Sequence, residues 1–298
     1  MEKMRLHILI LIGVFLITFI IGSFLDLNIS QLIASSSNNF AILMPHIGLI
    51  PGYGVLAFIG GGFLFLGIKK YEKVWVKIIF ILAAIAFVGV PIFYIGREFF
   101  GANGFEGKAP KWIGYLISTP VVAGITVLGY FITTKCKNDK IWIVFVLVGI
   151  ISALALIGGT TVLKSIFHRP RYRAVYAYGI DFYPWYQRCT NYKELMEILN
   201  IKSEEFKSFP SGHACGAALF VVGVTFFPLM NEEYEKFHLP LFYFAALWLV
   251  LVCVSRIMAA AHYLSDVSMG SLIMLIFLFI GNEILINTKL IKKKEELN

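Results

Sequence analysis

Residues 141–163 read IWIVFVLVGIISALALIGGTTVL, and none of these 23 side chains is charged. A helix of about 20 apolar residues is long enough to span the hydrocarbon core of a bilayer. Lys164 follows directly, so the apolar run ends where a polar environment begins. The stretch therefore predicts a transmembrane helix that ends at a cationic residue.

The rest of the chain has the same character. Hydrophobic residues make up 58% of the 298 residues and charged residues 15%, and the mean hydropathy is +0.78. Such a composition has too few polar side chains for the surface of a water-soluble protein. We predict an all-α fold, a polytopic transmembrane helical bundle of about eight spans. Besides residues 141–163, the apolar runs are 6–25, 54–68, 74–94, 114–133, 212–229, 239–254 and 267–286.

Basic residues predict the orientation in the membrane, because Lys and Arg concentrate in cytoplasmic loops. With eight spans, both termini are expected to be cytoplasmic, and residues 164–209 and 256–266 to lie outside the cytoplasmic membrane. The first apolar run is interpreted as a retained helix and not as a signal peptide. The basic residues on the predicted inner side are Lys3, Arg5, Lys69, Lys70, Lys73, Lys77, Lys135, Lys137, Lys140, Lys289, Lys292, Lys293 and Lys294.

The outer loop 164–209 is also rich in cations, contrary to this rule, and it carries many aromatic residues. An excess of positive charge outside predicts an anionic ligand, for which lipid phosphate is the expected partner. The formal charge of +8 is therefore interpreted as favouring the membrane and not nucleic acid. Aromatic side chains favour the headgroup level, so the loop is expected to lie on the membrane surface.

The chain is predicted to have three functional regions and no independently folding domains. Residues 1–140 hold about four accessory spans without motifs. Residues 141–287 form a core that contains the candidate functional segments described next, with these segments and the loop 164–209 on the outer face. Residues 288–298 form a basic cytoplasmic tail.

Three segments far apart in the chain hold side chains suited to phosphate transfer. In the first, Arg171 can bind a phosphate with two parallel hydrogen bonds, and Lys164 can approach it as a point charge. The alternative is that these cations extend towards lipid headgroups. That interpretation is kept for Arg169 and Arg173.

The second segment is Pro210-Ser211-Gly212-His213, directly before the sixth apolar run. Ser211 is predicted to cap the helix, and the amides at a helix start bind anions. Gly212 permits close approach of the backbone, and His213 can donate a proton near neutral pH. An ordinary cap beside an interfacial histidine is the alternative.

The third segment contains Arg256, His262 and Asp266. The spacing of four predicts that His262 and Asp266 share a helix face at the start of the eighth span. A carboxylate that binds one imidazole nitrogen leaves the other free to attack phosphorus, and Arg256 can reach the same phosphate. A structural Arg–Asp pair beside a hydrogen-bonded histidine is the alternative.

The order Lys-x6-Arg, Pro-Ser-Gly-His and Ser-Arg-x5-His-x3-Asp resembles the type 2 phosphatidic acid phosphatase family, relatives of the vanadium haloperoxidases. The resemblance covers residues 164–266. It implies that His262 forms a phosphohistidine, that Asp266 orients His262 and that His213 protonates the leaving group. It also implies no metal, and we expect no cofactor. The residues that it implies for phosphate binding are Lys164, Arg171, Ser211, Gly212 and Arg256.

Two features depart from the family pattern. The usual Lys-x6-Arg-Pro is replaced by Arg171 followed by Tyr172, and an Arg-Pro pair occurs two residues earlier at Arg169-Pro170. Arg171 is preferred as the phosphate ligand because its spacing is correct, and Arg169 is the alternative. Common membrane members have six spans, so this chain has about two additional N-terminal helices.

Together these features predict an integral membrane lipid phosphatase that works without metal. The substrates considered are undecaprenyl diphosphate, phosphatidic acid and phosphatidylglycerol phosphate. A phosphotransferase that uses the same residues is one alternative, and a lipid-phosphate binding or transport protein without turnover is another. The residues themselves favour none of these substrates, and they predict no oligomeric state.

Overall fold

A computed structural model of the chain describes residues 1–35, 37–99 and 112–288. These residues form an all-helical structure, which confirms the predicted fold class. The tail residues Lys289, Lys292, Lys293 and Lys294 lie outside the described residues. Eight segments are long and apolar enough to cross a membrane, as predicted. They are Glu2–Ile33, Asn39–Lys70, Val74–Glu98, Trp112–Thr134, Ile141–Tyr178, Gly212–Leu229, Glu232–Met258 and Leu264–Asn287.

The spans are built from α-helices joined by short π- and 3₁₀-helical turns. The π-helical turns are Leu66–Lys70 and Leu154–Thr161, and the 3₁₀ turns are Ser203–Phe206, Phe227–Leu229 and Glu232–Phe237. The α-helices of the described residues are α1 (Glu2–Ile33), α2 (Asn39–Ile47), α3 (Ile50–Phe65), α4 (Val74–Glu98), α5 (Trp112–Thr134), α6 (Ile141–Ala153), α7 (Val162–Phe167), α8 (Tyr172–Tyr178), α9 (Tyr192–Ile198), α10 (Gly212–Phe226), α11 (His238–Met258) and α12 (Leu264–Asn287).

Apolar side chains cover the outside of the bundle as well as its interior. Ile17, Leu82 and Leu116, on three different spans, are 60%, 60% and 62% exposed. Lipid tails are as apolar as these side chains, so such a surface is stable in a bilayer. The outer apolar surface accounts for a composition that a water-soluble protein does not have.

The first four spans pack directly on the last four. Helix α1 lies along α12, and α3 lies against α10. A Cβ atom on Gly22 would lie 2.5 Å from the backbone nitrogen of Ser265, and one on Gly52 would lie 2.0 Å from the carbonyl oxygen of Gly216. Glycine at these crossings lets the two backbones touch. The N-terminal spans are therefore part of the same packed bundle.

Ion pairs mark one end of the bundle, where α10 and α12 finish. Most of their side chains are exposed, so each pair contributes little to stability. The predicted site residues lie at the opposite end, where α10 and α12 begin. The four pairs are Lys3–Glu235 (3.6 Å), Arg5–Glu283 (3.2 Å), Lys70–Asp139 (2.8 Å) and Lys137–Glu233 (3.0 Å).

The long connection from α7 to α10 is folded. It contains α8, α9 and a 3₁₀ turn, and it has a small apolar core of Ala174, Ile180, Cys189, Ile201 and Phe206. Tyr176 and Tyr186 on its surface are 81% and 64% exposed, as is typical of side chains at the headgroup level. The connection leads Arg169, Arg171 and Ser208 to the end of the bundle where α10 and α12 begin.

Candidate active site

The three predicted segments meet at this end of the bundle. The rings of His213 and His262 lie 6.4 Å apart between their centroids. The backbone nitrogen of Ser211 donates to the carbonyl oxygen of Asp266 at 2.9 Å. A Cβ atom on Gly212 would lie 3.9 Å from Cε of Lys164, and apart from its chain neighbours and its own helix it would meet no other described atom within 4 Å. One small region therefore contains side chains that are distant in the sequence.

The start of α10 has the predicted form. Ser211 is the N-cap, and its hydroxyl accepts from the backbone nitrogen of Ala214 at 3.3 Å. Gly212 is the first helical residue, and the open space above it lets an anion approach the backbone. The partial positive charge of a helix N-terminus favours an anion at this position.

His262 does not share a helix face with Asp266, so that expectation was wrong. Helix α12 begins at Leu264, and His262 lies in the connection before it. The chain reverses there at Ala260, whose φ is +53°. Asp266 is the third residue of α12, and its carboxylate accepts from the backbone nitrogen of the N-cap Tyr263 at 2.9 Å. The spacing of four reflects a helix cap and not two side chains stacked on one helix.

The contacts of His262 determine which ring nitrogen is reactive. Its Nδ1 lies 2.8 Å from the carbonyl oxygen of Ser208 and 3.7 Å from Oδ2 of Asp266. A carbonyl oxygen only accepts hydrogen bonds, so Nδ1 carries the proton and Nε2 has the free lone pair. Ser208 also donates its hydroxyl to Oδ2 of Asp266 at 2.5 Å. Asp266 therefore acts on His262 through Ser208 as well as directly.

The surroundings of His262 keep its ring neutral. Burial lowers its pKa well below the ordinary value for histidine, and the positive charges of Lys164, Arg171 and Arg256 lower it further. The hydrogen-bonding influence of Asp266 opposes these effects. An unprotonated imidazole is the form that can attack phosphorus.

Arg169 occupies the centre of a buried network. Its Nη1 donates to Asp266 at 2.6 Å, its Nη2 to Asp26 at 2.9 Å and its Nε to the carbonyl oxygen of Tyr183 at 2.8 Å. Ser265 donates its backbone nitrogen to Asp26 at 2.8 Å, and its hydroxyl donates to the same carboxylate. The guanidinium nitrogens of Arg169 are thus engaged by the protein itself.

The interpretation of Arg169 and Arg173 as cations that extend to headgroups was wrong. Arg169 is fully buried, because two carboxylates and the face of Tyr263, 4.1 Å from its guanidinium carbon, stabilise its charge. Arg173 is half-buried and pairs with Glu205 at 2.6 Å. Arg169 therefore does not reach the surface, and the partly exposed side chain of Arg173 is held by Glu205.

Lys164, Arg171 and Arg256 differ from Arg169 in their hydrogen bonding. The buried Nε of Arg171 and the buried Nε and Nη1 of Arg256 have no hydrogen-bond partner in the part of the chain that the structure describes. Nζ of Lys164 donates to the carbonyl oxygen of Lys207 at 2.7 Å. Buried donors without acceptors are costly. These three cations have spare capacity for an anion.

His213 contacts a residue that the motifs did not include. Its Nε2 lies 2.9 Å from Oε2 of Glu98, the last residue of α4. Nδ1 of His46 donates to the carbonyl oxygen of Glu98 at 3.0 Å, which fixes the end of α4. Both Glu98 and His213 are mostly buried. The site therefore contains a carboxylate beside each of its two histidines.

Comparison with protein families gives a match in the C-terminal half of the chain. The PAP2 superfamily model matches residues 141–287. Residues 141–287 are therefore a PAP2 superfamily domain, in a chain with eight candidate membrane spans. The matched residues include all three motif segments. Comparison with curated proteins and with solved structures finds no match.

The site also contains three residues that the motifs did not predict: Asp26, Glu98 and Ser208. Asp26 and Glu98 lie outside the PAP2 domain, on α1 and α4. A carboxylate inside an apolar span needs a partner. The position of Asp26 in the first span could therefore have predicted a buried contact with a cation or a hydrogen-bond donor. Glu98 ends a span, where charges are common, and Ser208 belongs to no motif. The N-terminal spans thus contribute side chains to the site of the PAP2 domain.

Proposed function

We propose that this PAP2-family phosphatase hydrolyses a lipid phosphate or diphosphate without a metal, through a phosphohistidine on His262. The observation that carries the proposal is the set of unpartnered buried donors on Arg171 and Arg256 beside a histidine whose Nε2 is unprotonated. The free donors also favour Arg171 over Arg169 as the phosphate ligand of the first motif. Turnover is preferred to binding alone, because a binding protein does not need an oriented neutral imidazole.

In the first step, the lone pair on Nε2 of His262 attacks phosphorus, an N–P bond forms and the P–O bond to the lipid breaks. The electron pair of that bond goes to the lipid oxygen, which takes a proton from His213. Water then attacks phosphorus while His213 accepts a proton from the water. The N–P bond breaks, its electron pair returns to Nε2, and orthophosphate leaves.

The charge that develops on the phosphoryl oxygens needs donors already in place. In the proposed assignment, Lys164, Arg171 and Arg256 supply positive charge, and the amides at the start of α10, at Ser211 and Gly212, supply hydrogen bonds. Asp266 holds Ser208 and the connection that contains His262. No group of three or more His, Cys, Asp or Glu side chains suited to a metal occurs within residues 1–35, 37–99 and 112–288.

Phosphate release tests this function. The purified protein, in detergent with a chelator, is expected to release orthophosphate from at least one of phosphatidic acid, phosphatidylglycerol phosphate and undecaprenyl diphosphate. Rapid quenching is expected to trap a phosphoenzyme that is labile in acid and stable in base, as a phosphohistidine is. Release from none of the three lipids would contradict the proposal, and inhibition by the chelator would contradict a metal-free mechanism. Transfer to an added alcohol without orthophosphate would favour a phosphotransferase.

The site is proposed to face the outside of the cytoplasmic membrane, with both termini in the cytoplasm. The ion pairs at the other end of the bundle support this orientation, since their basic residues follow the positive-inside rule.

Cysteine labelling in intact cells tests the orientation. In a chain without its native cysteines, Tyr186→Cys is expected to react with an impermeant maleimide in intact cells. Lys73→Cys, at the opposite end, is the matched control and is expected to react only after lysis. The reverse pattern would place the site in the cytoplasm.

A further inference from the structure

We propose that Glu98 is a positioning residue for the leaving-group proton, an inference that rests on the proposed function. Glu98 ends α4, outside the PAP2 domain, and its Oε2 lies 2.9 Å from Nε2 of His213. One of the first four spans therefore contributes directly to the acid–base histidine of the PAP2 domain.

The contact leaves one nitrogen of His213 available for the substrate. Nδ1 of His213 has no hydrogen-bond partner among the residues that the structure describes, whereas Nε2 is engaged by Glu98. A carboxylate on one imidazole nitrogen fixes the tautomer and the ring orientation and stabilises the protonated ring. His213 can then carry a proton on Nδ1 for the leaving oxygen.

The proton balance follows from this geometry. The doubly protonated ring of His213 donates its Nδ1 proton to the lipid oxygen as the P–O bond breaks, and that oxygen keeps the electron pair of the bond. The ring becomes neutral and keeps its Nε2–H, which still donates to Glu98. No net proton passes to Glu98.

Glu98 is held in place for this role. The carbonyl oxygen of Glu98 accepts from His46, whose ring stacks on Phe99 with a centroid distance of 5.6 Å and an interplanar angle of 10°. A Cβ atom on Gly96, two residues earlier, would lie 2.6 Å from the ring of Tyr115 on α5. The end of α4 is thus fixed by contacts on both sides, which limits the side-chain freedom of Glu98.

The leaving group provides the test. An alkyl phosphate releases an alcohol that must be protonated, whereas p-nitrophenyl phosphate releases a phenolate that leaves without a proton. Glu98→Gln is therefore expected to lower kcat/KM for n-octyl phosphate by about 10²-fold. A much smaller loss is expected for p-nitrophenyl phosphate. Each rate is compared with that of the wild type on the same substrate in the same detergent.

Two further variants make the test specific. In the background His213→Ala, which removes the ring that Glu98 contacts, Glu98→Gln is expected to cause no additional loss. Glu233→Gln, whose side chain pairs with Lys137 at 3.0 Å at the other end of the bundle, is the matched control and is expected to keep wild-type rates.

The possible outcomes separate this inference from the proposed function. If the wild type releases phosphate neither from these two substrates nor from the three lipids, the proposed function fails. If the wild type hydrolyses both and Glu98→Gln loses the same factor on both, only the role of Glu98 is wrong. Orthophosphate could instead inhibit Glu98→Gln more tightly than the wild type, while the ratio of the rates on the two substrates stays unchanged. That result would show that Glu98 only offsets the positive charge of the phosphate-binding side chains. That result would also overturn the inference.

Discussion

His262→Ala is expected to lower the rate of phosphate release by at least about 10⁴-fold, because the substitution removes the nucleophile itself. The phosphoenzyme should disappear at the same time, since the proposed mechanism uses the second histidine of the site, His213, as the acid and base and not as the nucleophile. The measurement is orthophosphate release from the best lipid substrate, with rapid quench for the intermediate. Retention of near wild-type release would exclude His262 as the nucleophile.

A matched control is needed because His262 is buried and packs beside Ser208. His168→Ala removes a ring that stacks on Tyr192 at 3.7 Å between ring centroids. His168 contacts the proposed ligand Lys164 only through its backbone nitrogen, which alanine keeps. It is expected to keep most of the activity. If both variants lose activity to the same extent, the loss reports damaged packing and not the removal of a nucleophile.

Arg169→Leu is expected to have the largest effect on stability. The substitution leaves Asp26 and Asp266, 3% and 0% exposed, without the cation between them. Removing one partner from a buried ionic network costs about 3–5 kcal/mol. We expect a large drop in the thermal unfolding midpoint in detergent and little recovery of folded protein.

Two comparison variants define this effect. Asp26→Asn removes one carboxylate and leaves Arg169 paired with Asp266, so the network becomes neutral and a smaller loss is expected. Arg173→Leu breaks a pair with Glu205 that is partly exposed, which is worth about 1 kcal/mol or less. Equal midpoints for Arg169→Leu and Arg173→Leu would show that the buried network does not stabilise the fold.

Composition and the lengths of the apolar runs were enough to predict eight spans, because a helix that crosses a bilayer must be long enough to span its hydrocarbon core. The start of α10 was also predictable, since Ser211 and Gly212 have local roles at a helix cap. Each of these features depends on neighbours in the sequence.

The features that were missed depend on contacts between distant segments. The partners of Arg169 are on α1 and α12, and the partner of His213 is on α4, so no local pattern pairs them. His262 was placed on a helix because a spacing of four suits a helix face, but the turn at Ala260 ends α11 and separates His262 from α12. Contacts between distant segments determine the partners of Arg169 and His213, and a turn between two helices determines the position of His262.

The buried pair of Asp26 and Arg169 also has a consequence for the order in which the protein is assembled. Asp26 precedes Arg169 by 143 residues and Ser265 by 239. The chain is synthesised from its N-terminus, so α1 is made long before either partner of its carboxylate exists. The carboxyl group of the first helix gains its hydrogen-bond and ionic partners only when the last helix is in place, and biogenesis must therefore tolerate an unpartnered carboxyl group until the bundle closes.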